Sequence, residues 1–274
     1  MKTVTSKDST KIAYDVYGQG PAIILVDGAS ATRAFGGSTE LAQSLATSGF
    51  TTYAYDRRTR GESGDTQPYA VSREIEDIEA LIDLAGGTAH LYGISSGGAL
   101  ALEAAAVLGK KVNKLAVYEV PYMGADSASS VPAPEAFAEL KQLVKDGKNG
   151  DAFDSYMGQF IPEEMLAGMR QAPFWPMMEA VAPSLVNDAT VMFGRNFTPQ
   201  KELLEKITVP VLALSGDAAM FPGVDTSFMA KAAQAIAKMV QHGKYQLLKG
   251  QSHDVNVEVI APVLSEFYGN ERIL

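Results

Sequence analysis

Residues 89–98, AHLYGISSGG, restrict the fold more than any other stretch of the chain. A short apolar run reads as a buried strand and enters Gly93-Ile94-Ser95-Ser96-Gly97 directly. An Ala- and Leu-rich helical pattern then follows over 98–108. A strand that turns straight into a helix belongs to an α/β sheet, in which each helix crosses back over the sheet to reach the next parallel strand. The steric logic of the turn also points to chemistry. Glycines two residues before and two after Ser95 let neighbouring backbone approach where a Cβ would collide, and a tight, strained turn pushes Ser95 outward. In this strand–turn–helix setting, G-x-S-x-G makes Ser95 a candidate nucleophile. The helix that follows points its first amides at the same place, so the Ser96 amide is a candidate oxyanion donor.

The rest of the chain repeats the alternation. Residues 11–17 alternate polar and apolar like a half-buried edge strand, whereas 22–26 and 115–118 are unbroken apolar runs, typical of strands covered on both faces. Helical patterns lie over 38–47, 71–85 (with Ile75, Ile78, Leu81 and Ile82 on one stripe) and 98–108. After a gap the order resumes with strand 209–214, helix 225–240, strand 245–248 and a terminal helix over 257–268. The expected fold class is α/β, a doubly wound and mostly parallel sheet.

The gap breaks the pattern and holds the single tryptophan and a dense run of methionines. It reads as a helical cap, residues 121–199, inserted after the strand that ends at Glu119, with residues 1–120 and 200–274 forming the core domain. Tyr122, Phe174, Trp175 and Met178 are candidate substrate-binding residues. The plainer reading is that such side chains only pack the cap onto the core.

With 274 residues, 46% hydrophobic and 20% charged, the chain can bury one large core. A formal charge of −9 argues against nucleic acid, which needs clustered Lys and Arg, and an acidic surface repels anionic lipid. No apolar run approaches the length of a membrane span, and the N-terminus lacks a secretory pattern. The absence of cysteine removes disulfides, thiolate nucleophiles and Cys-ligated metals. The histidines are scattered, with no metal-binding spacing, and no dinucleotide loop follows the first strands, so no metal and no cofactor are expected. The expected partner is a small-molecule substrate, with a homodimer left open and a cytoplasmic location compatible.

Four markers stand in one order: Asp27-Gly28-Ala29 after an early buried strand, the string DRRTRGES at 56–63 after the next, the turn GISSGG, and Ser252-His253 near the end. In these the chain resembles the α/β-hydrolase superfamily over nearly its whole length. The strings DRRTRGESGD and YEVPY resemble a bacterial subgroup of uncharacterised cap-bearing serine hydrolases, a likeness that names no substrate. Of the three histidines, His90 opens the strand leading to Ser95 and lies a strand length from it, and His242 sits in a turn leaving a helix. His253, in the loop KGQSHD, stands where the superfamily carries its general base.

The carboxylate that orients this histidine departs from the common pattern. Relatives often carry an Asp three residues after the glycine ending the strand at 209–214. Counted from Gly216, that position is Ala219, and Asp217 comes too early. Glu119 ends the strand after the Ser95 helix, at the carboxyl edge where α/β sheets place their sites. Glu119 is favoured over Asp217. Where relatives carry His-Gly, this chain has Asp27-Gly28. The needed donor is a backbone amide, that of Ala29, and Asp27 is read as bracing its own turn. Arg57 and Arg58 are read as partners of Asp27, as ligands for a substrate carboxylate, or as ties between loops. The resemblance implies hydrolysis of an ester or lactone of a mid-sized hydrophobic substrate through an acyl-serine. The alternatives are carbon–carbon (diketone) hydrolysis or perhydrolysis on the same residues, and a binding protein or cyclase on the same scaffold.

Overall fold

Successive side chains of a strand face opposite sides of a sheet, and here both sides are covered. The computed structural model describes residues 2–123, 134–193, 197–221 and 225–270. Its strands are β1 (Lys2–Thr5), β2 (Lys11–Tyr17), β3 (Ala22–Val26), β4 (Thr51–Tyr55), β5 (Ala89–Ile94), β6 (Val112–Tyr118), β7 (Pro210–Gly216) and β8 (His242–Leu248). They form one sheet in the order β1-β2-β4-β3-β5-β6-β7-β8. The pairs β1–β2 and β2–β4 are antiparallel and the remaining pairs parallel. The expected doubly wound, mostly parallel sheet is therefore present.

The core helices are α1 (Thr39–Thr47), α2 (Val71–Leu84) and α3 (Ser95–Leu108). Between β6 and β7 come α4 (Pro134–Lys145), α5 (Asn149–Met157), α6 (Glu163–Arg170), α7 (Trp175–Val181), α8 (Leu185–Phe193) and the single turn α9 (Lys201–Leu204). Helices α10 (Ser227–Met239) and α11 (Val257–Gly269) complete the set. Ile23 and Leu25 of β3, with Tyr92 and Tyr118, meet α1 and α11 through Leu41, Leu45, Ile260 and Leu264. The alternate residues Ile24, Val26, Leu91 and Val117 meet α2, α3 and α10 on the other face. This two-sided burial explains the unbroken apolar runs of β3 and β6.

Two details differ from the sequence reading. Strand β2 is not at the edge, because Lys2–Thr5 pairs outside it, mostly exposed and too short to carry a readable pattern. Strand β8 begins at His242, which pairs with Pro210, instead of leaving that residue in a turn. Helices α4 to α8 gather around their own apolar cluster, including Leu140, Phe153, Leu166, Met178 and Leu185. Helix α8 also packs on α2 and α3 of the core. Among the described residues no helix is long and apolar enough to cross a membrane.

Candidate active site

From β3 the chain winds one way to β4, and from β5 the other way to β6, β7 and β8. This reversal opens a crevice at the carboxyl ends of β3 and β5, the usual ligand site of an open α/β sheet. Ser95 stands at its lip, between β5 and α3, with φ 55°. The left-handed backbone of a non-glycine residue costs about 1–2 kcal/mol, which the packing around it must hold. The glycines provide that packing. A Cβ on Gly97 would lie 2.3 Å from the carbonyl oxygens of Val26 and Asp27, so α3 sits directly on the end of β3. A Cβ on Gly28 would lie 2.9 Å from that of Ser95, which puts the turn after β3 against the serine.

His253 follows β8. Its Nδ1 is 2.8 Å from Glu119 Oε2, and the other carboxylate oxygen, Oε1, accepts the Gly216 N–H at 2.9 Å. Glu119 is 2% exposed and, like Ser95, has positive φ, 44°. Its own amide donates to Leu214, so the end of β6 is tied to β7 on both sides of the residue. The loop carrying the histidine is fixed by Tyr118, whose hydroxyl donates to the Ser252 carbonyl at 2.5 Å, and by close contact of Gly216 with Gln251. Asp217 lies elsewhere: its Oδ1 accepts the Gly250 N–H at 2.5 Å and closes the turn after β8. The structure therefore brings Glu119, and not Asp217, to His253. Among the described residues no hydrogen bond joins Ser95 to His253. His90 is buried with its ring 4.7 Å from that of Tyr268, and burial drops its pKa to about 4.

Asp27 does not brace its own turn. Its Oδ1 accepts from the amide and the hydroxyl of Ser38, at 2.9 and 2.5 Å, and so anchors the start of α1. Burial lifts its pKa from 3.8 to about 6, against the pull of the Ser38 hydrogen bonds and of Arg60 and Arg57. The folded chain thus holds this proton more tightly than the unfolded chain. Stability from this group is complete below about pH 4 and is lost as pH rises through about 6, where a buried carboxylate must ionise. At about 1.4 kcal/mol per pH unit, the penalty above that range reaches about 3 kcal/mol. Asp27→Asn keeps an acceptor for Ser38 and removes the charge. Thermal unfolding should show the variant more stable than wild type at pH 8, with the gap closing toward pH 4; a gap independent of pH would contradict this account.

Arg57, Arg58 and Arg60 are all buried, and among the described residues their ion pairs go to acids other than Asp27. Arg58 binds Asp77 and Asp8. Arg57 binds Glu74 of α2 at 2.6 Å and Asp188 of α8 at 2.7 Å, and donates to the Asp27 carbonyl at 3.2 Å. Arg60 binds the other oxygen of Asp188 at 2.5 Å and donates to the carbonyls of Gly28 and Ala31 at 2.5 and 3.2 Å. Asp188 also accepts from the Ser96 hydroxyl at 2.7 Å. Burial would raise the pKa of Asp188, but the two arginines and the Ser96 hydrogen bond overcome it and hold the carboxyl below its ordinary value. Sequence reading did not foresee the buried cluster that Asp188, Glu74 and Arg60 form with Arg57.

The four candidate substrate residues separate. Trp175 packs edge-on against Phe153 inside the α4–α8 cluster, and Phe174 stacks on Phe35 of the turn after β3, with ring centres 5.7 Å apart. Met178 lines a cavity of about 290 Å³ together with Ser30, Phe35, Thr59 and Val181. Tyr122 lines another, of about 320 Å³, beside Lys231 and Met239.

Comparison with known proteins agrees with this architecture. An α/β-hydrolase from Sphaerobacter thermophilus is 43% identical, with a TM-score of 0.86 over 97% of this chain and 100% of that one. A thermophilic esterase from Thermogutta terrifontis (18% identity, TM-score 0.73, 98% and 97% covered) shares the fold. So does an enol-lactonase from Burkholderia xenovorans (17%, 0.71, 98% and 100%). The model of the alpha/beta hydrolase family matches residues 23–263, and the chain belongs to that family.

Proposed function

We propose that the protein is a serine hydrolase that cleaves a carboxylic ester or lactone of a mid-sized, largely hydrophobic substrate. The observation carrying this reading is the Glu119–His253 pair, at 2.8 Å, on the same sheet edge as a serine held in a strained turn. In the reaction Ser95 Oγ attacks the carbonyl carbon and its proton passes to Nε2 of His253, while Glu119 holds the Nδ1–H and stabilises the imidazolium. This step requires the Ser95 hydroxyl to turn toward Nε2 with substrate bound, while the ring stays on Glu119. The amides of Ala29 and Ser96 receive the tetrahedral oxyanion. Its collapse expels the alkoxide, which takes the proton from His253. Water then gives a proton to His253 and attacks the acyl-serine; as the bond to Oγ breaks, His253 returns the proton to Ser95 and the acid is released.

Helices α4 to α8 act in this reading as a cap, and the apolar contact of Phe174 with Phe35 of the turn after β3 is consistent with a hydrophobic substrate group. The esterase and enol-lactonase that share the fold are consistent with the substrate class. A fluorophosphonate probe should label Ser95 in the wild type and leave Ser95→Ala and His253→Ala unlabelled, by mass spectrometry of the modified peptide. An inert Ser95 would instead favour a binding protein or cyclase. A screen over short esters, lactones and diketones separates acyl from carbon–carbon cleavage.

A further inference from the structure

We propose that Asp188, carried on α8 outside the core, is a positioning residue that aims both oxyanion donors; the inference rests on the serine-hydrolase reading. A trans peptide is planar, so its N–H points opposite to its C=O. The Gly28 carbonyl and the Ala29 N–H belong to one peptide, and that carbonyl accepts from Arg60 Nη1 at 2.5 Å. Holding the carbonyl on one side fixes the N–H on the other, and a cationic donor on the carbonyl polarises the N–H as a stronger donor. The preceding peptide, Asp27 C=O with Gly28 N–H, is held in the same way by Arg57 at 3.2 Å.

Asp188 is the common anchor of these arginines, binding Arg57 through Oδ1 and Arg60 through Oδ2. The same Oδ1 takes the hydroxyl of Ser96, whose amide is the second donor, at 2.7 Å. Asp188 is fully buried, so water cannot substitute for any of these bonds. One carboxylate therefore grips both halves of the oxyanion hole, from a helix that lies between β6 and β7 in sequence. Glu74 makes a useful contrast. It is equally buried and also binds Arg57, yet among the described residues its side chain has no bond to the turn after β3 or to α3.

The experiment compares Asp188→Asn, Ser96→Ala and Glu74→Gln with wild type, using p-nitrophenyl acetate turnover and inhibition by phenylboronic acid, which forms a tetrahedral serine adduct. In Asp188→Asn the amide meets one guanidinium donor to donor and frees Arg60 or Arg57. Losing an oxyanion donor outright costs about 10²–10³-fold in turnover, so misaiming two should lower kcat by about 10–100-fold. KM should hold within about threefold, because ground-state binding makes little use of these donors. Boronate affinity should fall with kcat. Ser96→Ala removes one grip without disturbing a charge and should show the same split on a smaller scale, which keeps the test open if Asp188→Asn fails to fold. Glu74→Gln should lose stability while keeping kcat and boronate affinity. Equal kcat and boronate losses in Asp188→Asn and Glu74→Gln would reduce Asp188 to a stability element and overturn the inference, as would an unchanged Ser96→Ala. A wild type labelled by fluorophosphonate confines such a failure to this inference; an unlabelled wild type overturns the hydrolase reading and the inference together.

Discussion

Glu119→Gln should lower kcat by about three to four orders of magnitude with little effect on folding, whereas Asp217→Asn should stay near wild type. The reason lies in what each oxygen of Glu119 meets. Oε2 faces His253 Nδ1 and Oε1 accepts the Gly216 N–H, so both neighbours are donors when the histidine carries its proton on Nδ1. A carboxylate satisfies both; an amide cannot. If the Gln nitrogen faces the ring, Nδ1 must become an acceptor, the proton moves to Nε2, and the base can no longer take the Ser95 proton. If the nitrogen faces Gly216 instead, two N–H groups collide in a site that is 2% exposed. Among the described residues Asp217 hydrogen-bonds the Gly250 amide alone, in an exposed turn, and an Asn oxygen accepts that bond as well. Steady-state kinetics on p-nitrophenyl acetate decide the matter. Collapse in Asp217→Asn with activity kept in Glu119→Gln would assign the acid to the other residue.

The structure puts Glu119, the carboxylate favoured from the sequence, against His253, and the sequence carries a physical reason for that position. Glu119 terminates an apolar run, and an ionisable side chain at the carboxyl end of a buried strand has few places to go except the crevice. The strand–turn–helix of residues 89–98 was legible for a similar reason: its glycines are demanded by contacts within a few residues and by the one strand beside it. Strand β1 was not legible, since four mostly exposed residues carry no period. Asp27 was misread because its partner, Ser38, lies eleven residues on, at the start of α1. Local turn chemistry was the nearer explanation and the wrong one.

The arginine cluster was hidden by sequence distance. Arg57 and Asp188 are 131 positions apart, and nothing in either neighbourhood names the other. A partial signal did exist. Glu74 and Asp77 fall on the same helical stripe as Ile78 and Leu81, where an acid is costly unless it is paired. Two acids on an apolar stripe, set beside a string with three arginines, imply buried ion pairs before any coordinates are seen. Asp188, a lone acid within the apolar run of α8, is the matching half.

That cluster should also dominate stability. Arg57 is 1% exposed and stands between Glu74, 2%, and Asp188, 0%. With Arg60 the four groups carry two charges of each sign, so removing any single member leaves a net charge buried. Arg57→Met fills much of the volume but leaves two buried carboxylates sharing one guanidinium. Removing one partner of a buried pair costs about 3–5 kcal/mol, because the charge left behind has lost both water and counter-ion. At about 2–4 °C per kcal/mol for a chain of this size, the unfolding midpoint should fall by roughly 10 °C. The direction of the Glu74 shift agrees: burial pushes its pKa up even with Arg57 in place, so without Arg57 it should take up a proton. The double variant Arg57→Met/Glu74→Met should recover much of the loss, since Asp188 keeps Arg60 and Ser96 while the orphaned acid is gone. Lys201→Ala, which breaks an exposed pair with Glu205, should barely move the midpoint. Calorimetry on these variants tests the account, and an Arg57→Met midpoint within about 2 °C of wild type, less than 1 kcal/mol, would mean that the cluster is no better than the apolar packing able to replace it.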